Sequence, residues 1–338
     1  MTWAVLERDY ELAIIDSEEH GSLTSPALLD EADTASLTTY LASLERSNPA
    51  GFRTLQRALQ RDTAGWNWSF AGNTFDLRTR VVVMGILNCT PDSFYDGGRY
   101  NRIEAAVEQA EHMISSGADI LDIGGESTRP HAHPVSLNEE LERVIPVITQ
   151  LCKRNYLVSI DTQHTAVAEA AIQEGALIIN NVAGFRDRAM VDLMAQTDVG
   201  GVIMHMQGDP RTMQSSPSYT WATGEIALFL SHALDVLNDA GVDEQRLVVD
   251  PGIGFGKTLD HNLELFRNMA SLRGLGRPIL VGASRKSFIG GILDLPVEHR
   301  LEGSIAAAVV AVINGARIVR VHDVLETVRA IRVAERMV

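Results

Sequence analysis

Short apolar runs alternate with amphipathic stretches from about residue 81 to the C-terminus. The runs are apolar at every position, which is typical of parallel strands covered on both faces. The stretches between them repeat apolar residues at helical spacing, as at Ile103, Val107, Ala110 and Ile114. Eight strand-then-helix units in order favour an α/β protein with a closed (β/α)8 TIM barrel over an open doubly wound sheet. The predicted strands are Val81–Leu87, Ile120–Gly124, Leu157–Asp161, Leu177–Asn180, Gly201–His205, Arg246–Asp250, Pro278–Gly282 and Arg317–Val321.

The segment before the barrel has a different composition. Residues 1–33 are rich in acids, and two helical patterns follow, one from Leu37 to Leu44 and one from Phe52 to Leu59. Asn48-Pro49 is a good start for the second helix. We therefore predict that residues 1–66 form a small, acidic, helical N-terminal extension and that residues 67–338 form the barrel. Residues 67–80 are expected to form a hairpin that closes the bottom of the barrel.

Composition narrows the class of protein. The chain has 338 residues, of which 45% are hydrophobic, and 29 basic against 44 acidic side chains give a net charge of −15. Such a charge argues against a nucleic-acid binder. Cys89 and Cys152 have no paired spacing, which suits a reducing compartment and gives no zinc or disulfide framework. We find no signal peptide and no apolar run of the ~18–20 residues that a membrane span needs, so a cytoplasmic location is predicted.

Polar residues stand where the predicted strands end. Catalytic groups of a barrel lie at the C-terminal ends of its strands, so these residues should share one rim. Any one of them has a simpler explanation, as Asp161-Thr162 could cap the next helix, but their recurrence on every strand indicates a site. Carboxylates and amides follow the middle strands, and cations follow the last strands and the second loop. This division suits a ligand with a donor-rich ring at one end and a phosphate at the other. The rim comprises Asn88–Gly98, Gly124–Pro130, Asp161, Asn180, Asn181, His205, Asp250, Ser284–Ser287 and Arg320–Asp323.

Three local features suggest other chemistry and are set aside. Pro251–Thr258 resembles a phosphate-binding P-loop, but proline stands where the motif requires its first glycine, so a tight turn is favoured. His131 and His133 lack a third metal ligand at suitable spacing, which favours a solvated loop. Met206 follows His205 and is typical of a core position, with an apolar wall for a flat ring as the alternative.

The rim motifs resemble those of the bacterial dihydropteroate synthase family. The resemblance rests on MGILNCTPDSF with DGG, DIGGESTRP, VSIDT, LIINN, MHMQGDP, DPGIGFGKT, GASRKS and RVHDV. They occur in the family order from about residue 68 to the C-terminus. The resemblance implies transfer of a dihydropterin methylene group from its diphosphate ester to the amine of p-aminobenzoate, in folate biosynthesis. It also implies a target for sulfonamides.

The resemblance also implies a role for each matching residue. Asn88 would contact one Mg²⁺ that accompanies the diphosphate, and Arg320 and His322 would bind the phosphates. Val321, between them, would be a further substrate-binding residue. Asp161, Asn180 and Asp250 would hold the polar edges of the pterin, with Lys286 at its carbonyl and Met206 beside the ring. Asp161, Asp96 and Lys286 are the expected catalytic residues, Asp96 facing the reacting methylene. The p-aminobenzoate pocket would comprise Phe94, Thr128, Arg129, Pro130, Phe255 and Ser287.

Small molecules are the expected partners, together with a second copy of the chain in a homodimer formed through late helices such as Ser304–Asn314. The chain departs from the family at Asn181, where aspartate is usual, and at Cys89, where valine is common. The second loop near His131 and the N-terminal extension also differ. Two alternatives stay open: a pterin-binding methyltransferase domain that serves cobalamin, and a catalytically inactive paralogue that acts as a scaffold. An unrelated barrel is a remote third reading because the motifs keep their order.

Overall fold

The computed structural model describes residues 3–8, 11–16, 53–54, 56–57, 66–90, 99–126 and 135–337. Eight parallel strands form one sheet, in which the last strand of the chain pairs with the first of the eight. A parallel bridge between Val249 and Ile279 joins the two outer strands, so the sheet closes into the predicted (β/α)8 barrel. The barrel strands are β5 (Val82–Asn88), β6 (Ile120–Gly124), β7 (Val158–Asp161), β8 (Ile178–Asn181), β9 (Gly200–Met204), β10 (Leu247–Asp250), β11 (Leu280–Val281) and β12 (Ile318–Val321).

Helices follow the strands around the outside. They are α1 (Arg99–Ser115), α2 (Leu137–Cys152), α3 (Thr165–Gln173), α4 (Arg188–Gln196), α5 (Ala222–Asp239), α6 (Leu259–Arg267), α7 (Ser287–Leu293), α8 (Leu301–Ile313) and α9 (Val324–Ala334). Within the described ranges, 3-10 helices lie at Glu244–Arg246, Met269–Leu275 and Val297–His299. No described helix is both long enough and apolar enough to cross a membrane.

The predicted hairpin lies at the N-terminal end of the barrel. Strand β3 (Asn67–Phe70) pairs antiparallel with β4 (Asn73–Asp76), and its Trp68 and Phe70 are buried against the first inward-facing side chains of the strands. Trp68 Nε1 donates to the Arg246 carbonyl at 2.9 Å. These contacts confirm that the hairpin closes the bottom of the barrel. The lower layer consists of Val82, Met84, Ile120, Ile178, Val202, Val248, Leu280 and Ile318.

The alternation of side chains along each strand determines which residues lie above this layer. Successive side chains of a strand point to opposite sides, so residues two positions further along also point inward. In β6, β8, β10 and β12 those residues are Asp122, Asn180, Asp250 and Arg320. The residues between them pack outward against the helices. The barrel therefore has a dry apolar floor and a polar layer toward its C-terminal end.

The N-terminal extension is not helical throughout, so that part of the prediction is wrong. It opens with a hairpin of β1 (Trp3–Arg8) and β2 (Glu11–Asp16), in which Arg8 pairs with Glu11. Both strands are short apolar runs separated by two residues, a spacing that favours a hairpin. The second predicted helix is confirmed at the four residues described there, Arg53, Thr54, Gln56 and Arg57. The first, from Leu37 to Leu44, lies outside the described residues.

Arg57 fixes this helix to the outside of the barrel. Its Nη1 donates to Asp235 Oδ1 of α5 at 3.0 Å and to Glu244 Oε1 at 2.9 Å. Its Nη2 donates to Ser231 Oγ at 3.3 Å. Gly276 has φ +67°, and a Cβ added there would lie 2.3 Å from the Arg57 carbonyl oxygen, so glycine permits the close approach.

Candidate active site

A buried polar cluster occupies the layer above the apolar floor. Arg320 Nε donates to Asp122 Oδ2 at 2.5 Å, and Arg320 Nη2 donates to Asp161 Oδ2 at 2.5 Å. Asn180 Nδ2 donates to the same Asp122 oxygen at 3.0 Å. Asp122 is fully buried. Strands β6, β7, β8 and β12 thus bring two carboxylates, an amide and a guanidinium together.

Asp122 is a site residue that the sequence analysis missed. Its Oδ1 is buried and accepts no hydrogen bond from the described part of the chain. An unsatisfied buried acceptor costs about 1–3 kcal/mol, so a ligand N–H in this position would be stabilised. The available signal was a carboxylate in the middle of an apolar strand. It was overlooked because only the residues at and after the strand ends were considered.

Burial and neighbouring charges shift the titration of the cluster. Burial raises the pKa of Asp161 to about 7, while the Arg320 guanidinium acts in the opposite direction and Asp122 adds to the rise. Burial opposes the charged form of Arg320 as well, yet the carboxylates of Asp122 and Asp161 raise its pKa overall. Asp161 therefore changes charge near neutral pH while Arg320 stays cationic.

Lys286 follows β11, the neighbour of β12, and its charge acts on both Asp250 and Asp161. Its Nζ donates to the Ile253 carbonyl and lies 4.4 Å from the centre of the Phe255 ring. Burial lowers the pKa of Lys286 to about 8, although the charge of Asp250 opposes this. Asp250 accepts a hydrogen bond from the Gly252 amide at 2.7 Å, and burial raises the pKa of its carboxyl group.

An apolar wall stands beside these groups. Met206, Phe255, Met204, Met213 and Val182 form one buried cluster. The Met206 carbonyl accepts a hydrogen bond from Arg186 at 2.6 Å, which fixes the backbone behind the wall. A flat, partly apolar ring would find carboxylates and an amide at its edge and methionine and phenylalanine at its face.

His205 directly follows β9, at its predicted place on the rim, and its side chain pairs with Lys257. It is buried, and its Nδ1 lies 3.0 Å from Lys257 Nζ, which also donates to the Phe255 carbonyl at 2.9 Å. Burial lowers the pKa of both side chains well below their ordinary values. The Pro251–Thr258 segment is a tight turn, as predicted: a Cβ on Gly252 would lie 1.9 Å from the His205 carbonyl oxygen.

The predicted phosphate end has three features. His322 Nδ1 lies 3.0 Å from Ser284 Oγ. Arg285 pairs with Asp323, its Nε donating at 3.0 Å. Ser287 is exposed at the start of α7, next to Lys286. Val321 is different, because its side chain packs in the core between the strands and the helices. Alternation turns the Val321 side chain away from the interior, so a contact of this predicted binding residue with the substrate would involve its backbone.

The predicted separation of carboxylates from cations is wrong. Arg320 lies between Asp122 and Asp161, and the charge of Lys286 acts on Asp250. The reason is geometric. The inward-facing residues of all strands share a few layers, and a long arginine on β12 reaches across to β6 and β7. Buried carboxylates also need a nearby cation to offset the loss of hydration.

Asn88 has the position and the type of donor atom that the predicted magnesium ligand requires. It ends β5, and its Oδ1 and Asp161 Oδ2 both lie 3.7 Å from where a Cβ on Gly124 would stand. Its side chain makes no hydrogen bond within the described ranges. Mg²⁺ usually takes one or two protein oxygens and fills its other positions with water and phosphate, so a single amide oxygen at this edge fits.

Two departures from the family pattern have structural explanations. Asn181 Nδ2 donates to the Thr162 carbonyl at 3.1 Å, and its Oδ1 accepts from the Phe185 amide at 2.8 Å. A carboxylate cannot make the first of these bonds. Cys89 is a buried thiol in the core, and burial raises its pKa to about 12. Five predicted site residues lie outside the described residues: Phe94, Asp96, Thr128, Arg129 and Pro130.

Comparison with known proteins shows which family the chain belongs to. A family model described as pterin binding enzyme matches residues 84–322. The dihydropteroate synthase of Escherichia coli K12 is 44% identical over 265 residues, which cover 78% of this chain and 94% of that protein. The Yersinia pestis dihydropteroate synthase, solved as a sulfonamide drug complex, has a TM-score of 0.76 at 43% identity and covers 80% of this chain and 98% of that chain.

The Xanthomonas albilineans dihydropteroate synthase, solved with 4-aminobenzoic acid, also has a TM-score of 0.76. It is 41% identical and covers 81% of this chain and 98% of that chain. Each of these relatives covers about four-fifths of this chain and nearly the full length of its own. The chain therefore belongs to the pterin-binding enzyme family, among the dihydropteroate synthases.

Proposed function

We propose that the enzyme transfers the dihydropterin methylene group from its diphosphate ester to the amine of p-aminobenzoate and releases diphosphate. The observation that carries this proposal is the buried, unsatisfied Oδ1 of Asp122 beside Asp161 and Asn180. The amino-pyrimidinone edge of a pterin offers N–H donors, which carboxylates accept well. Met206 and Phe255 would cover the ring face, and Lys286 would donate to its carbonyl oxygen and ring nitrogen.

Electrostatic stabilisation supplies most of the chemistry in this proposal. The methylene carbon becomes cationic as diphosphate departs, and the ionised carboxylate of Asp161 stabilises that charge. Arg320 and His322 would offset the negative charge that grows on the leaving group. The arylamine is already a nucleophile near neutral pH, so the step needs orientation more than a strong general base.

The p-aminobenzoate pocket is proposed to include Phe255 and Ser287 with Phe94, Thr128, Arg129 and Pro130. The same site would admit sulfonamides, which the Yersinia pestis relative was solved with. Asp96 is proposed to face the reacting methylene. Asn88 would hold Mg²⁺, whose charge, when the ion is bound, lowers the energy of the departing diphosphate.

We further propose a homodimer formed through the late helices. Val310 and Ile313 of α8 are 42% and 53% exposed, and Val333 of α9 is 61% exposed. Apolar side chains of this size on neighbouring helices are suited to a protein interface. Sedimentation at several concentrations would test the homodimer. A cytoplasmic location stays a prediction.

The decisive experiment is formation of dihydropteroate by the purified protein from the two substrates, with and without Mg²⁺. We expect turnover that requires both substrates and is lost when Mg²⁺ is chelated. A folded protein that binds a pterin but makes no product would support the scaffold alternative. Methyl transfer to cobalamin without dihydropteroate synthesis would support the methyltransferase alternative.

A further inference from the structure

Glu140 lies behind the polar cluster, in α2, and is only 1% exposed. Each of its carboxylate oxygens has a partner. Thr162 Oγ1 donates to Oε1 at 2.7 Å, and His164 Nδ1 lies 2.6 Å from Oε2. Both partners belong to the turn that directly follows Asp161. A carboxylate this deep is costly unless it is hydrogen-bonded, so Glu140 and this turn depend on each other.

The turn is also held from the neighbouring strand. The Thr162 amide donates to the Asn180 carbonyl at 3.2 Å, and the Thr162 carbonyl accepts from Asn181 at 3.1 Å. The Thr162 hydroxyl accepts from the His164 amide at 3.1 Å while it donates to Glu140. Thr162 therefore joins the end of β7 to β8 on one side and to α2 on the other.

Glu126 connects the same turn to the second loop. Its Oε2 accepts from Gln163 at 3.1 Å and its Oε1 from the Val135 amide at 3.5 Å. Arg143 of α2 donates to the Gly125 carbonyl at 2.7 Å. Glu126 and Val135 flank the segment 127–134, which carries Thr128, Arg129 and Pro130 of the predicted p-aminobenzoate pocket.

Oxygen and nitrogen atoms of Glu126, Glu140 and His164 lie within 4.8 Å of one another, the spacing of a possible cation site. We assign no metal to this cluster, because the structure already gives both Glu140 oxygens protein partners. The cluster is better described as a network that joins two turns.

We propose that Glu140 is a positioning residue. Through Thr162 it holds Asp161 facing the pterin pocket, and the contact between Gln163 and Glu126 keeps the base of the second loop in register with that carboxylate. This inference rests on the proposed function, since it takes Asp161 to contact the pterin. A misplacement of about 1 Å in a group that orients the substrate costs about 10²-fold in rate.

The test compares Glu140→Ala, Thr162→Val, the double variant and Glu140→Gln. Kinetic constants for both substrates are measured, with the affinity for a dephosphorylated pterin by calorimetry and Tm by scanning calorimetry. We expect each of the first two variants to lose about 10-fold or more in kcat/KM. The double variant should lose no more than the worse single variant, because both act through one link. Glu140→Gln retains hydrogen-bonding groups for both partners and should recover most of the activity.

Glu169→Gln is the matched control, since it makes the same change at an exposed position of α3. It should change kcat/KM by no more than about two-fold. Normal kinetics in folded Glu140→Ala, or additive losses in the double variant, would overturn the proposal. Should Glu140→Ala fail to fold, Thr162→Val decides the matter by the same kinetic criterion. If wild-type protein makes no dihydropteroate, the proposed function fails, and pterin affinity across the variants still tests the positioning role.

Discussion

Arg320 Nη2 lies 2.5 Å from Asp161 Oδ2, so the cation expected at the diphosphate is ion-paired with the carboxylate expected at the pterin. Arg320 also pairs with Asp122. The two ends of the substrate are thus linked through one side chain, and a change in Arg320 should affect both. This differs from the sequence interpretation, in which Arg320 would act on the diphosphate alone.

We therefore expect Arg320→Ala to weaken both ligands, the diphosphate ester more strongly. Loss of the guanidinium removes an attraction that lowers the pKa of Asp161, and it leaves two buried carboxylates without their partner. Calorimetry with the diphosphate ester and with a dephosphorylated pterin measures the two effects separately. Unchanged affinity for the dephosphorylated pterin would show that the ion pair is irrelevant to ring binding. Arg188→Ala, at a surface ion pair, serves as the control.

The plot of kcat/KM against pH should be a narrow, bell-shaped curve. Ionised Asp161 is required, and its pKa is raised to about 7, so kcat/KM falls as the pH falls through that value. Protonated Lys286 is required, and its pKa is lowered to about 8, so kcat/KM falls again as the pH rises through that value. These values describe the interacting groups together. The measurement is kcat/KM from pH 5 to 10, with stability checked at each pH.

Two variants assign the limbs of that bell. Asp161→Asn should lose about 10²-fold or more in kcat/KM, as is typical when one preorganised electrostatic contact is removed, and its acid limb should disappear. Lys286→Met should lose the alkaline limb. An acid limb that survives unchanged in Asp161→Asn must belong to another group, and the catalytic assignment of Asp161 would then be wrong.

Asp122→Asn tests the residue found only in the structure. The amide cannot accept at both positions, so the proposed bond from the pterin and the bonds from Asn180 and Arg320 cannot all be kept. We expect the affinity for a dephosphorylated pterin to fall about 10- to 100-fold. Asp192→Asn, on the exposed face of α4, is the control. Equal affinity in wild type and Asp122→Asn would place the ring elsewhere.

Sulfonamides should inhibit competitively with p-aminobenzoate and leave the affinity for the pterin diphosphate unchanged. The physical reason is that a sulfonamide presents the same arylamine to the Phe255 and Ser287 side of the site. Initial rates at varied p-aminobenzoate concentration measure this. Turnover that sulfonamides do not slow at high concentration would show that the unusual second loop near His131 has reshaped the pocket.

The barrel was predictable because its strands are continuous apolar runs, and the observed strand ends lie close to the predicted ones. Asp161, Asn180 and Asp250 were predictable for the same reason: each ends such a run. Asp122 was missed because it lies within its strand, where only inward alternation reveals its direction. The same rule turns the Val321 side chain outward, because Val321 follows an inward-facing residue.

Ion pairing across the barrel was not predictable from sequence. Arg320 and Asp122 are 198 positions apart, and no local pattern indicates which cation reaches which carboxylate. The hairpin of β1 and β2 was not predicted, because the interpretation gave more weight to the acidic residues of the segment than to its two apolar runs. The pairing of Arg57 with Asp235 and Glu244 was equally hidden, because it joins a segment outside the family pattern to the barrel.

The N-terminal extension should stabilise the barrel without taking part in catalysis. Arg57 is 5% exposed, and its partners lie in α5 and in the 3-10 helix that precedes β10, on the side of the barrel where strands begin. Breaking a buried ion pair by removing one partner costs about 3–5 kcal/mol. Arg57→Met should therefore lower Tm by about 5 °C or more, while both KM values stay within a few-fold of wild type.

A truncated protein that begins at Asn67 should also have a lower Tm and KM values within a few-fold of wild type. Its loss of Tm should be larger than that of Arg57→Met. Arg188→Met is the control, because Arg188 pairs with Asp192 at the surface and such pairs contribute about 0–1 kcal/mol. The double variant Arg57→Met with Asp235→Asn should be no less stable than Arg57→Met, since it removes the carboxylate left buried without its partner. An unchanged Tm in Arg57→Met would show that the contact contributes nothing. A collapse of kcat in a truncated protein that stays folded would instead place the extension at the active site.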